Sequence, residues 1–310
     1  MRKLLPLLGI CLMTAAACVG ASEGSATPVG SATSVGSATP VGSPAVSPGY
    51  VVPTGPNNLV LRIASGGGFV APAYLLTEVP QFALFGDGRI IVPGPLAEIS
   101  PGPLLPNMLV MRVTPAEIQK IMAAADRAGL LGPDASFDAV GIADAGTTVF
   151  TTIVDGRAHR ISAYALSEAG AMDGGPTGDP TIAAARARLS EFRAQMSNLP
   201  AFLRRTVEDI GAYVPSGMRV FVRDAGPADP AQPTAGVAAW PLTTDPASIG
   251  QPTMVEGTVC LALTGSDLSR FLAVAGTANA GTLWTYGSAR YAVTVRPLYP
   301  NESGCAGGAL

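Results

Sequence analysis

Two segments of this chain read alike at one fixed offset. Leu109-Val110-Met111-Arg112-Val113-Thr114 runs into Glu117-Ile118 and Ile121-Met122. Val259-Cys260-Leu261-Ala262-Leu263-Thr264 runs into Asp267-Leu268 and Phe271-Leu272, so that Thr114 and Thr264 lie 150 positions apart. Each segment reads as an apolar strand ending on a threonine N-cap. An acidic residue three positions on completes a capping box, and apolar pairs then recur at helical spacing. Alternating strands follow each helix, at 148–154 and at 291–295. This pattern restricts the chain to two strand–helix–strand units, related by an internal repeat if the echo reflects duplication. The plainer alternative is that any strand leading into a capped helix looks this way.

The remaining signals agree with a mixed α+β fold. Phe82 to Phe85 and Arg89 to Val92 flank Gly86-Asp87-Gly88, a hairpin signature. A second hairpin is read at 148–164 around Asp155-Gly156. Asp179-Pro180 caps a helix reaching about Met196, with Ile182, Leu189, Phe192 and Met196 as core positions. With 37 Gly, 28 Pro and only 13% charged residues, turns are frequent and a helical bundle is excluded. The fold class expected is α+β, as two small antiparallel-sheet-plus-helix units. Their boundaries are placed at 57–198 and 199–310.

The N-terminus carries an address. Arg2 and Lys3 precede an apolar run from Leu4 to Met13, then Ala15-Ala16-Ala17-Cys18. Residues 1–17 read as a secretory signal peptide, with Cys18 as the candidate lipidation site of a bacterial lipobox. Ala15 stands where a leucine is usual, so cleavage by ordinary signal peptidase and simple secretion is the alternative. The run is shorter than the ~20 residues of a spanning helix. Residues 18–56 contain GSATPV, GSATSV and GSATPV in succession and read as a disordered linker, too poor in apolar surface to offset chain entropy. In an oxidising compartment, Cys260 and Cys305 are the expected disulfide, with two separate buried thiols as the alternative.

No constellation selects a reaction. His159 is the only histidine, it falls in a hairpin strand, and no Gly-x-Ser-x-Gly elbow accompanies it. One histidine and two remaining cysteines do not build the usual zinc sites. Gly66-Gly67-Gly68 follows a strand but lacks the Lys-Ser/Thr of a phosphate loop. Asp134, Asp138 and Asp144 do not follow calcium-loop spacing. Catalytic, metal and cofactor residues are therefore assigned to none. The net charge of −3 gives no basic face for nucleic acid.

Gly67-Gly68-Phe69-Val70, Tyr74-Leu75-Leu76-Thr77, Gly86-Asp87-Gly88-Arg89, Gly129-Leu130-Leu131-Gly132 and Thr147-Thr148-Val149-Phe150 carry a resemblance. In these runs the chain resembles an uncharacterised family of secreted lipoproteins of GC-rich bacteria. The resemblance implies an extracytoplasmic, lipid-anchored protein and no particular activity. The expected function is a cell-envelope binding or interaction module, with a protein or small molecule as partner. An exposed apolar patch, or a pocket without convergent titratable groups, would mark it. A secreted hydrolase using paired carboxylates is the first alternative, marked by two acids across one cleft. An inhibitor or chaperone-like partner of secreted proteins is the second, marked by an ordered loop at 167–178.

Overall fold

The computed structural model describes residues 49–96, 98–139, 141–167, 179–205, 210–226 and 235–307. The chain enters the first sheet as β1 (Gly55–Gly66) and passes through the short α1 (Pro72–Thr77) into the hairpin β2 (Phe82–Gly86) and β3 (Arg89–Pro93). β4 (Met108–Arg112) leads directly into α2 (Pro115–Arg127). β5 (Ala135–Phe137) and the hairpin β6 (Thr147–Val154) and β7 (Arg157–Tyr164) follow. Then come α3 (Pro180–Ser197), α4 (Leu199–Leu203) and β8 (Gly211–Ala212). These strands form an eight-stranded sheet in the order β5-β7-β6-β1-β2-β3-β4-β8.

The second sheet is built from β9 (Gly217–Asp224), β10 (Val237–Ala239), β11 (Gln251–Pro252), β12 (Thr258–Thr264), β13 (Leu283–Tyr286) and β14 (Ala289–Pro297). Helix α5 (Pro246–Ile249) precedes β11, and α6 (Gly265–Ala275) joins β12 to β13. The order is β10-β13-β14-β9-β12-β11. The α+β class and the two sheet-plus-helix units thus stand as read. Both sheets belong to one compact unit.

Local chemistry explains the elements. Thr114 accepts from the Glu117 amide while the Glu117 carboxylate accepts from the Thr114 amide, a complete capping box at the start of α2. Gly129, at φ +85°, ends that helix. Helices α2 and α3 lay Ile118, Ile121, Leu189 and Phe192 on Leu61, Leu84 and Phe150 of the first sheet. In the second unit Phe271 of α6 stacks on Trp284, with centroids 5.4 Å apart, and Trp240 closes the aromatic cluster.

Five expectations need correction. Each sheet is mixed rather than antiparallel throughout, because β5 runs parallel to β7 and β10 parallel to β13. The repeat is not carried by the topology. Three strands (β3, β2, β1) separate β4 from β6, whereas β9 alone separates β12 from β14. The second cap also differs: Thr264 makes no side-chain cap bond, and α6 starts from Gly265 at φ +55°. Against the boundary read at 198, β8 pairs with β4 at Ala212 and Leu109, so the first sheet takes in a strand from beyond that residue. Lastly, residues 49–56 are not linker. Tyr50 exchanges hydrogen bonds with Gln119 (2.8 and 3.0 Å) and donates its hydroxyl to Asp126 at 2.9 Å.

The loops of the first unit clasp the second. Leu104, between β3 and β4, joins the aromatic core of the second unit and donates its amide to the Ala278 carbonyl. Helix α1 packs on β14. In return Tyr299, just past β14, buries itself against Phe85, Ile91 and Met108 on the back of the first sheet.

Candidate functional site

Strand β2 is shorter than both its neighbours at one end, and the difference opens a groove. Phe82, its first residue, faces Ile63 of β1. Beyond that point β1 continues through Ala64, Ser65 and Gly66, paired only with β6. On the other side β3 continues through Val92 and Pro93, paired with β4, and the Gly94 amide donates to Asn107. The chain that enters β2 leaves the sheet through Pro80, whose carbonyl accepts from the Tyr299 hydroxyl. The space so left is a groove of about 440 Å³.

Two loops wall this groove. One comprises lining residues of 66–81, including α1, and the other comprises Pro93, Gly94, Leu96 and residues 106–108. The first is held by a turn at Gly68, which has φ +84° and lies so near Asp144 that a Cβ would meet its carbonyl at 2.9 Å. Phe69 then donates its amide to that same carbonyl. The Gly66-Gly67-Gly68 run therefore shapes a rim. Val70, Tyr74 and Leu96 stand exposed along the lining, Leu96 at 81%. Glu78 is the only carboxylate among the lining residues, and burial raises its carboxyl above the ordinary value.

A buried polar cluster supports the groove from behind. The Arg296 guanidinium donates to the Glu78 carbonyl at 2.7 Å and to both oxygens of Glu302. Arg296 also lies over the Tyr299 ring, 5.8 Å from its centroid. Burial pushes the Tyr299 hydroxyl well above its usual range and Tyr213 up to about 12. Tyr213 donates to the Leu298 carbonyl at 2.8 Å. These groups are consumed by one another and lock the tail of the second unit onto the back of the first sheet.

The residues singled out from sequence fall in different places. Cys260 and Cys305 form a disulfide with Cα atoms 5.9 Å apart. It lines a separate hollow of about 340 Å³ with Leu75 and Leu76 of α1. Cys18 and the loop 168–178 lie outside the described residues. His159 is buried, and its Nδ1 donates to the Gly132 carbonyl at 2.7 Å, tying β7 to the turn after α2. Asp134 accepts from the Arg160 amide at 2.8 Å. Among the described residues, no group of three His, Cys, Asp or Glu side chains could hold a metal ion.

A larger hollow of about 530 Å³ on the second sheet is lined by Asp224 and Tyr291. Its acids are engaged in local structure. Asp224 accepts from the Gly226 amide, and nearby Asp245 caps α5 while accepting from the Tyr291 hydroxyl at 2.7 Å. The groove beside β2 was not read from the sequence. Its only local traces are Pro93 and the glycines at 66–68 and 94, and a missing length of strand leaves no composition of its own. No family model, curated protein or solved structure matches this chain.

Proposed function

We propose that this chain is a cell-envelope lipoprotein whose folded part acts as a binding module, with its ligand seated in the groove beside β2. The carrying observation is the groove itself. It is lined mainly by apolar and small residues, rimmed by exposed Val70, Tyr74 and Leu96, and holds one carboxylate, Glu78, with no second carboxylate among the described residues that line it. Exposed apolar side chains gathered around a groove are a mark of interaction sites. The address rests on the N-terminal sequence. Lipid on Cys18 would tether the protein to the outer face of the membrane, and the GSATPV repeats would hold the folded part away from it. No helix among the described residues is long and apolar enough to cross a membrane.

Photo-crosslinking in intact cells tests the binding reading. A benzophenone side chain at Leu96 should give a discrete adduct, whereas the same group at exposed Val237 on β10 should give none. Equal labelling at both positions overturns it. For the anchor, Cys18→Ser should move the protein from the detergent phase to the aqueous phase. An unmodified N-terminus at Ser22 by mass spectrometry would overturn the lipid.

A further inference from the structure

We infer that the groove binds an extended peptide segment carrying a basic side chain, taken up as a short extra strand in the line that β2 leaves empty. This inference rests on the binding reading above and names the ligand class.

The backbone argument comes first. In a strand, the N–H and C=O of one residue point to the same side, and the side alternates along the chain. The Ile63 carbonyl accepts from the Gln81 amide, which fixes Ile63 as facing β2. Ser65, two residues on, therefore turns its N–H and C=O to that same side, past the start of β2. Its side chain agrees, since its hydroxyl meets the Thr148 hydroxyl on β6 at 2.9 Å, as expected of a non-hydrogen-bonded pair. No described residue is paired with Ser65 on the groove side. Opposite it, Gly94 faces β4, so Pro93 faces the groove. Proline has no N–H to leave unsatisfied there, and it is tolerated where a strand edge is open.

The dimensions fit one strand. With β2 absent, β1 and β3 lie two strand spacings apart, about 9.5 Å. The open stretch beside Ala64, Ser65 and Gly66 is three residues long, about 10 Å. A peptide running antiparallel to β1 would exchange two hydrogen bonds with Ser65. It would place alternate side chains toward the Val70, Tyr74 and Leu96 rim, the logic of strand addition at a sheet edge. Gly66 and Gly94 both line the groove, and Gly94 lies against the Asn107 side chain rather than facing open space. Glu78 supplies the charge preference, as the only charged group among the described residues that line the groove.

The test uses the full chain and a set of blocked hexapeptides randomised at four central positions. Binders with Kd below about 1 mM, enriched in lysine or arginine and in apolar residues at alternate positions, are expected. Methylating the one peptide nitrogen that faces Ser65 should abolish binding, and this control leaves the protein untouched. Glu78→Gln should weaken basic binders by up to about fivefold and leave their norleucine analogues unchanged. A set without binders, N-methyl analogues that bind equally, or acidic peptides preferred over basic ones would each overturn the inference. If the Leu96 adduct persists while the peptides fail, the ligand class is wrong and the binding reading stands. If both fail, so does the reading beneath.

Discussion

Arg296 grips Glu302 with two parallel hydrogen bonds, Nη1 to Oε2 at 2.7 Å and Nη2 to Oε1 at 2.8 Å. The Arg296 side chain is 1% exposed and that of Glu302 is 10% exposed. The third nitrogen, Nε, donates to the Glu78 carbonyl on the wall of the groove. A fork geometry of this kind is strong and directional. It fixes the tail behind β14 and the loop before β2 with one side chain. Glu302→Gln removes the charge that compensates a buried guanidinium and should cost about 3–5 kcal/mol in urea unfolding. Replacing the pair together by Met and Leu should cost clearly less than the sum of the single changes, because no buried charge is then left alone. Additive losses would show that the two residues do not act as a pair.

Acid should act on a second pair. Hydrogen bonding from Arg205 is the main cause that holds the Glu117 carboxyl down at about 2, against the opposing effect of burial; the Thr114 amide and hydroxyl help. A carboxyl depressed in the folded state contributes stability that is complete above its ordinary value near 4.5. That contribution is lost as pH falls through about 2. Burial also works to raise Glu302, but the bonds and charge of Arg296 outweigh it, so its contribution is lost in the same direction. The Arg205 side chain is 37% exposed, so solvent screens part of the first effect. Urea midpoints should therefore drop between pH 5 and pH 3, and Glu117→Gln should flatten that slope. A variant with the wild-type slope would refute the assignment.

The disulfide closes a loop of 45 residues. By chain entropy this corresponds to about 4 kcal/mol. Buried Arg219 adds to the same restraint, donating to the carbonyls of Gly304, Ala306 and Gly307 in the stapled tail. Cys260→Ala with Cys305→Ala should lower the urea midpoint and increase hydrogen exchange in 298–307. Because Tyr299 and Leu104 interlock the units, both should lose stability together, in one transition. An unchanged midpoint in reductant would exclude the staple as a stabilising element.

What could be read from the sequence was what is local. Asp87-Gly88, Asp155-Gly156 and Thr114-x-x-Glu117 each set a turn or a cap within a few residues, and the structure places each as expected. What escaped was set by distant partners. Glu302 reads in sequence as the middle of Asn301-Glu302-Ser303, and only Arg296, Arg219 and Tyr299 around it make it a buried ion. The two aromatic indoles illustrate the same limit. Trp240 and Trp284 are both buried against Phe271, although one precedes β11 and the other lies in β13. The groove escaped for the same reason, since it exists only where β2 fails to match its neighbours in length.

The N-terminal edge of the fold gives a sharp truncation test. Composition places 18–56 in one class, yet the chain from Gly49 onward is docked. Val51 accepts from the Asp155 amide at 2.7 Å, Pro56 accepts from Arg89 at 2.7 Å, and Tyr50 and Val52 pack on the core beside α2. A chain beginning at Gly49 should melt with the full chain, because the repeats before it have little apolar surface to bury. A chain beginning at Asn57 loses the Tyr50 contacts with Gln119 and Asp126 and uncovers apolar core. A half-buried aromatic and several hydrogen bonds together amount to about 2–4 kcal/mol. Tyr50→Ala in the full chain should reproduce about half of that loss, and Tyr50→Phe less, since it keeps the ring and gives up only the bond to Asp126. Equal melting of both truncations would return residues 49–56 to the linker.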